Sequence, residues 1–201
     1  MTIAQIIIKV RYLLGENIEG RWTDAELLLY GKEGEIDIIK RVSTKYLASL
    51  LINKEIATSG NISYIDGSIH NLPADYLRFK AAQNSAVAPY VMAEFVEDLS
   101  DIKSHQVLPS FAPSNLEPIC FMENPAGTKG LIFCPSTATI LLHYYKEPPN
   151  WESGNSPLTD VKTHDLLVNY ICKRATEGDK DFESSILFDK NYTEGVLKLE
   201  V

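Results

Sequence analysis

The run Leu131 to Trp151, LIFCPSTATILLHYYKEPPNW, constrains the fold of this chain more than any other stretch. Leu131 and Phe133, then Ile140, Leu142 and Tyr144, recur at period two within two short runs on either side of Pro135-Ser136-Thr137. Alternate side chains of a strand point to opposite faces, so this spacing predicts two half-buried antiparallel strands. Tyr144 and Tyr145 are adjacent, so one is expected to pack inward and the other to face solvent or a neighbour. Pro148 and Pro149 have no backbone donor and end the second strand. Helix-like stretches lie on both sides. That order predicts an α+β chain, with a helical bundle from the N- and C-terminal helices and an inserted antiparallel β region.

The helices announce themselves by caps and stripes. Thr2 and Gln5 form a capping-box pair before Ile3, Ile6, Ile7, Val10 and Leu14, with Gly15 as the stop. Thr23 and Glu26 repeat the box, with Trp22 as a staple, and open a second helix running to about Val42. Leu27, Gly31, Gly34, Ile38 and Val42 share one face of it. A glycine inside a helix costs about 1 kcal/mol relative to alanine. Two on one face therefore point to a close helix contact, with a kink as the alternative. Lys45 to Ala57 reads as a third helix, possible as a continuation of the second. A helix from about Asp160 to Glu177, capped by Thr159 or Ser156, carries Leu167, Val168, Ile171, Cys172 and Ala175 on its apolar face. Gly178 breaks it, and a last helix from Asp179 to about Tyr192 brings Phe182 and Ile186 into register. Gly195 to Val201, GVLKLEV, reads as a short alternating tail.

Between these helices the signals are shorter. Turn residues surround a strand at Ile62 to Ile65, and Leu72 to Tyr76 is a proline-initiated turn or short helix. Leu77 to Val87 fits either helix or strand, and Glu94 to Ile102 reads as a short amphipathic helix. Lys103 to Pro118, with Pro109, Pro113 and Pro118, reads as a long functional loop. Pro118 to Glu123 and Leu131 to Phe133 flank a hairpin loop at Asn124 to Gly130. The resulting organisation is a helical layer from residues 1–60 and 158–201, with residues 61–157 as the β insertion, all one folding unit.

Charge and cysteines narrow the function classes. The chain has 201 residues, with 27 acidic against 19 basic side chains and a net charge of −8. Such a chain does not grip nucleic acid by neutralising phosphates, although it is suited to surrounding DNA without holding it. The hydrophobic fraction of 45% is enough for a real core. Cys120, Cys134 and Cys172 show no CxxC or Cys/His spacing and read as packed, reduced thiols of a cytoplasmic protein. MTIAQIIIKVR lacks the pattern of a signal peptide, and no apolar run approaches membrane-spanning length.

Catalytic signatures are missing. His70, His105, His143 and His164 have no partner at metal-ligand spacing. The loop AGTKG at Ala126 to Gly130 lacks the Ser/Thr and the helix that follow a phosphate-binding lysine. Glu94, Glu97, Asp98 and Asp101 crowd one predicted helix, and a solvated face is the plain account. An enzyme reading would need these carboxylates gathered with His105 in one pocket. Phe111, in the proline-rich loop, either makes a contact surface or folds back on its own core. The sequence thus predicts no catalytic residue, no cofactor and no metal.

Several pieces, taken in order, resemble one family. RWTDAELLLYGKEGEIDIIKR at Arg21 to Arg41 resembles the RWTDAELL…EAQREI helix of tailed-phage head-to-tail adaptor proteins. NLPADYLR at Asn71 to Arg78 is similar to that family's LPADFLR turn, and Leu131 to Pro149 to its strand, proline, strand, YY, PP block. The departures are Gly31 and Gly34, where the family carries bulkier residues. The resemblance implies a self-assembled ring, a dodecamer, that docks under the portal protein and continues the DNA channel. A downstream tail, nozzle or second adaptor protein lies below, and DNA passes through the lumen without sequence-specific binding. On this reading Phe182, Phe188, Tyr192, Val196, Leu197, Leu199 and Val201 form a portal or partner interface, and Phe111 and Lys129 make tail-side loop contacts. A tail lying on its own subunit is the alternative for Gly195 to Val201. A different class, a soluble monomeric or dimeric intracellular binding or regulatory protein, would lack any higher ring.

Overall fold

The computed structural model describes residues 1–16, 20–62, 66–85, 91–97, 112–123 and 130–200. The chain is α+β and divides into two compact units: Met1–Leu51 with Glu147–Val201, and Ile52–Lys146.

The first unit is helical. α1 spans Ile3–Leu13 and α2 spans Asp24–Arg41, each opened by a complete capping box, Thr2 with Gln5 and Thr23 with Glu26. α3 spans His164–Gly178 and α4 spans Phe182–Leu199. α3 packs against α1, α2 and α4. Its consecutive Leu166, Leu167 and Val168 are all buried, which only a helix covered on several sides allows. The predicted stripes of α1 and α2 point inward, with Ile3, Ile6, Ile7, Val10, Leu27, Ile38 and Val42 buried.

The two glycines of α2 mark close approaches. A Cβ on Gly31 would overlap the ring of Trp151, and one on Gly34 would lie 2.8 Å from Cδ1 of Tyr170 on α3. The close helix contact is therefore real at Gly34, and at Gly31 the intruding group is an indole.

Three helical expectations are corrected. Asp160, not Thr159 or Ser156, caps a single 3₁₀ turn at Val161–Thr163, and α3 begins only at His164. α4 does not stop near Tyr192 but continues to Leu199, so Gly195 to Leu199 is helix and not an alternating tail. At Gly195 the Leu166 side chain of α3 occupies the space a Cβ would take, and Tyr192 and Val196 stack one turn apart on the buried side. Lys45 to Ala57 forms no helix: two 3₁₀ turns, Thr44–Tyr46 and Ala48–Leu50, lead into strand β1, Leu51–Ala57. Strand pairing overrides local helical propensity in that run.

The second unit is a pair of sheets. β1 joins β8 (Thr139–Lys146) and β4 (Tyr76–Asn84) in the order β1-β8-β4. β2 (Gly60–Ile62), β3 (Gly67–Asn71), β7 (Gly130–Cys134), β6 (Ile119–Glu123) and β5 (Glu94–Phe95) form the other, in the order β2-β3-β7-β6-β5. The ambiguous Leu77 to Val87 run is thus largely strand, and Glu94 opens a strand where a helix was expected. β5 joins β6 in parallel, while β2-β3, β3-β7, β6-β7 and β4-β8 pair antiparallel.

The two predicted strands of Leu131 to Trp151 are β7 and β8, and they belong to different sheets. The Cys134–Pro135 peptide between them is cis. Leu131 and Phe133 of β7 meet Ile140, Leu142 and Tyr144 of β8 in one apolar cluster, completed by Ile56, Ala82 and Cys120. The half-buried expectation fails for β7, whose five residues are all buried. β7 is the middle strand of its sheet, and Ile132 and Cys134 pack on its other face with Ile119, Phe121 and Val96. It fails also for the tyrosine pair, because Tyr144 and Tyr145 are both buried. β8 is likewise a central strand, covered on both faces at this end.

Candidate functional site: an apolar ridge and trough on the helical unit

α4 presents two faces of opposite character. Ser185, Tyr192 and Val196 are buried, and Phe188 and Leu199 are half-buried. Phe182, Ile186 and Leu197 are 63%, 69% and 56% exposed. At 100° per residue these three, together with Lys190, fall within a quarter-turn of one another and form a ridge along the helix. Leu187 is also exposed, further round the helix.

Of the partner residues predicted from sequence, the structure therefore brings Phe182 and Leu197 to one outward face. Phe188 and Leu199 lie on the opposite side of the helix, next to Tyr192, and Tyr192 and Val196 turn inward. Ile186 completes the ridge; it was noted only as being in helical register, and its four-residue step from Phe182 was the signal. Val201, Phe111 and Lys129 lie outside the described residues, as do Asp98, Asp101 and His105.

A second apolar feature lies between α1 and α2. Ala4, Ile7 and Ile8 of α1 face Leu28 and Asp24 of α2 across a hollow of about 190 Å³. Leu28 also lines a neighbouring hollow of about 340 Å³, with Ala25, Leu29 and Trp151. Leu28 lines both hollows, taken together as the trough, and Arg11, Ser153, Lys32 and Asn150 add polar groups to their lining. Ile8 and Leu29, which line the two hollows, are 68% and 56% exposed.

Polar side-chain networks tie the elements of the helical unit together. Tyr192 Oη donates to Asp37 Oδ2 at 2.5 Å, Asp37 pairs with Arg41, and the Tyr192 ring meets Tyr170 edge-on. Burial, followed by the bond to Asp37, raises the Tyr192 phenol above its ordinary value. Behind the trough, Glu35 of α2 is 1% exposed. Its Oε2 accepts the indole N–H of Trp151 at 2.7 Å, and its Oε1 accepts the backbone N–H groups of Leu158 at 2.6 Å and Thr159 at 3.1 Å. Burial raises the Glu35 carboxyl, and the donors oppose that shift. At the turn between α1 and α2, Arg11 is buried, pairs with Glu16 and Asp24, and donates to the Trp22 carbonyl.

Nothing among the described residues assembles a catalytic or metal centre. His70 contacts Ser68, His143 contacts Asn53, and His164 sits at the start of α3. Burial lowers the pKa of all three, with Lys80 contributing at His143 and the N-terminal amine at His164. Cys120, Cys134 and Cys172 are free and buried, and burial pushes each thiol up to about 12. No group of three His, Cys, Asp or Glu side chains that could hold a metal occurs among the described residues. No helix among them is long and apolar enough to cross a membrane.

Comparison with known proteins gives one match. Residues 1–199 match the SU10 adaptor protein family. No curated protein matches the chain.

Proposed function

This chain belongs to the SU10 adaptor protein family, and on that premise we propose that it forms a ring at the head-to-tail junction of a tailed phage. It is a phage structural adaptor protein. In this reading twelve copies, about as many as the resemblance implies, dock on the portal protein and extend the DNA channel toward a tail, nozzle or second adaptor protein. It performs no catalysis. The observation that supports the reading is the α4 ridge: Phe182, Ile186 and Leu197 stay exposed on a helix whose other side is well packed. A surface of that kind suits a partner in the assembled particle. Net charge −8 suits a channel through which DNA slides without being held. Phe111 and Lys129 remain the tail-side contacts of this proposal, and Val201 part of its partner interface.

The test is a phage in which this chain is not made. DNA-filled heads without tails should accumulate, and purified chain added to them should restore tail joining. Tailed, infectious particles that form without the chain would refute the proposal.

A further inference from the structure

We propose that β1 is an acid-released strand: His70 and His143 flank it as neutral rings, and when they take up protons β1 leaves its sheet. This device is independent of the adaptor reading above.

β1 stands at the edge of its sheet, in the order β1-β8-β4. An edge strand is laddered on one side only, and segments held by fewer contacts open before the rest of a fold. Two histidines from neighbouring strands close on it. His143 of β8 meets Asn53 of β1, Nδ1 to Oδ1, at 2.7 Å. A carboxamide oxygen only accepts, so Nδ1 carries the ring proton and Nε2 the lone pair. That Nε2 is buried with no partner. His70 of β3 is fully buried. Its Nε2 lies 2.9 Å from Ser68 Oγ, which accepts the Thr137 amide at 3.1 Å. Its Nδ1 lies beside the Ile56 and Ala57 backbone of β1, without a hydrogen bond of full geometry. Just past β1, Thr58 Oγ1 and the Ser59 amide donate to the Ile69 carbonyl and keep this end of β1 against β3.

Neither ring has a place for a second proton. On His143 it would sit on Nε2, where no acceptor stands. On His70, with the first proton on Nδ1 facing β1, it would force Ser68 to turn its hydroxyl to the Phe133 carbonyl, 3.5 Å away. Around His70, β1 carries Lys54 and Glu55, β7 carries Cys134, β2 carries no titratable side chain, and Asp66 precedes β3. Around His143, β4 adds Tyr76, Arg78 and Lys80, and β8 adds Tyr144, Tyr145 and Lys146. Glu55 is exposed and accepts from Ser85. Among the described residues no carboxylate bears on either ring. Burial holds both neutral, against a pull from the Ile56 and Ala57 carbonyls at His70, and the Lys80 charge adds to burial at His143. With β1 open, water reaches the rings and relieves these constraints. Each ring therefore binds its proton more readily when β1 is out. The closed strand has its full stability above the ordinary histidine value of 6.5 and loses it as pH falls below.

The experiment is amide hydrogen exchange of the purified chain at about pH 7.5 and about pH 5, with each rate divided by the intrinsic chemical rate at that pH. Peptides covering Ile52 to Ala57 should exchange at least about tenfold faster at the lower pH, while those of β6 and β7 hold within about twofold. His143→Gln keeps a donor toward Asn53 and does not titrate, and it should cut the acceleration in β1 by about half or more. His70→Gln together with His143→Gln should abolish it. Should the buried His70 variant fail to fold, proton NMR titration of the wild-type rings replaces it. His70 and His143 should then titrate below about 6.5, over the pH range in which β1 opens, and titration above that range would overturn the proposal. Equal acceleration in every strand would mean global unfolding and would overturn it too. So would β1 exchange that ignores pH, or an acceleration left intact in His143→Gln. His164 belongs to the helical unit, so its protonation would show at α3 and not at β1.

Discussion

Replacing Glu35 by glutamine tests how the segment from Trp151 to Thr159 is held to α2. The carboxylate offers two acceptor oxygens, one to the Trp151 indole and one to the Leu158 and Thr159 amides. Glutamine offers one. With its oxygen kept on the two amides, its NH2 group faces the indole N–H, donor against donor, in a site that is 1% exposed. A buried donor left without its acceptor costs about 1–3 kcal/mol. Glu35→Gln should therefore destabilise the fold by about 2 kcal/mol. Trp151→Phe removes the indole donor while keeping a ring beside Gly31, and in that background the same change should cost about 1 kcal/mol less. The assay is a double-mutant cycle of four proteins, unfolded in urea and followed by far-ultraviolet circular dichroism. Dichroism is preferred because the cycle itself alters tryptophan fluorescence. Additivity of the two changes to within about 0.5 kcal/mol would refute the assigned pairing.

Burial holds the Glu35 carboxyl above its ordinary 4.5. A group raised on folding contributes stability that is complete below its unfolded pKa and is lost as pH rises through its folded pKa. The stability gap between wild type and Glu35→Gln should accordingly narrow as pH rises through that region, and a widening gap in urea titrations would contradict the shift. Gly31→Ala should destabilise by about 1–3 kcal/mol, because overlap with the Trp151 ring outweighs the roughly 1 kcal/mol gain in helix propensity; thermal unfolding would show it. Tyr192→Phe should cost about 1–2 kcal/mol through the lost bond to Asp37. Spectrophotometric alkaline titration of the wild type should show late phenols, with Tyr76, Tyr144 and Tyr170 among them, and the variant should show one fewer.

The helices were legible where the signal is local. Both capping boxes stand as the sequence spells them, and the inward stripes follow from spacing alone. What misled was any decision made by distant residues. Lys45 to Ala57 has enough helical character to read as helix, but β1 is fixed by a strand that lies some eighty residues on. Gly195 was read as the start of a tail because what packs against it, the side chain of Leu166, cannot be read from its neighbours in sequence. Tyr145 looked half-exposed because period two cannot distinguish an edge strand from a central one. At the candidate surface, Phe182 and Leu197 of the set named from sequence face outward, while Tyr192 and Val196 face inward on a helix that continues past the point where it was expected to end. Glu35 carried a signal that was passed over: one carboxylate four residues from Gly31 and three from Ile38, on the apolar side of α2.

The pairing of β1 with β8 sets where the chain enters and leaves the β unit. Thr58 donates its amide to the Ala138 carbonyl, and Asn53 meets His143, so the two strands run in opposite directions. Leu51 and Lys146, where the chain passes into and out of the β unit, are thereby brought to the same end of adjoining strands. Opposed residues on such strands sit only about 5 Å apart. The β unit thus begins and ends on neighbouring strands of one sheet, so both of its connections to the rest of the chain leave from one place.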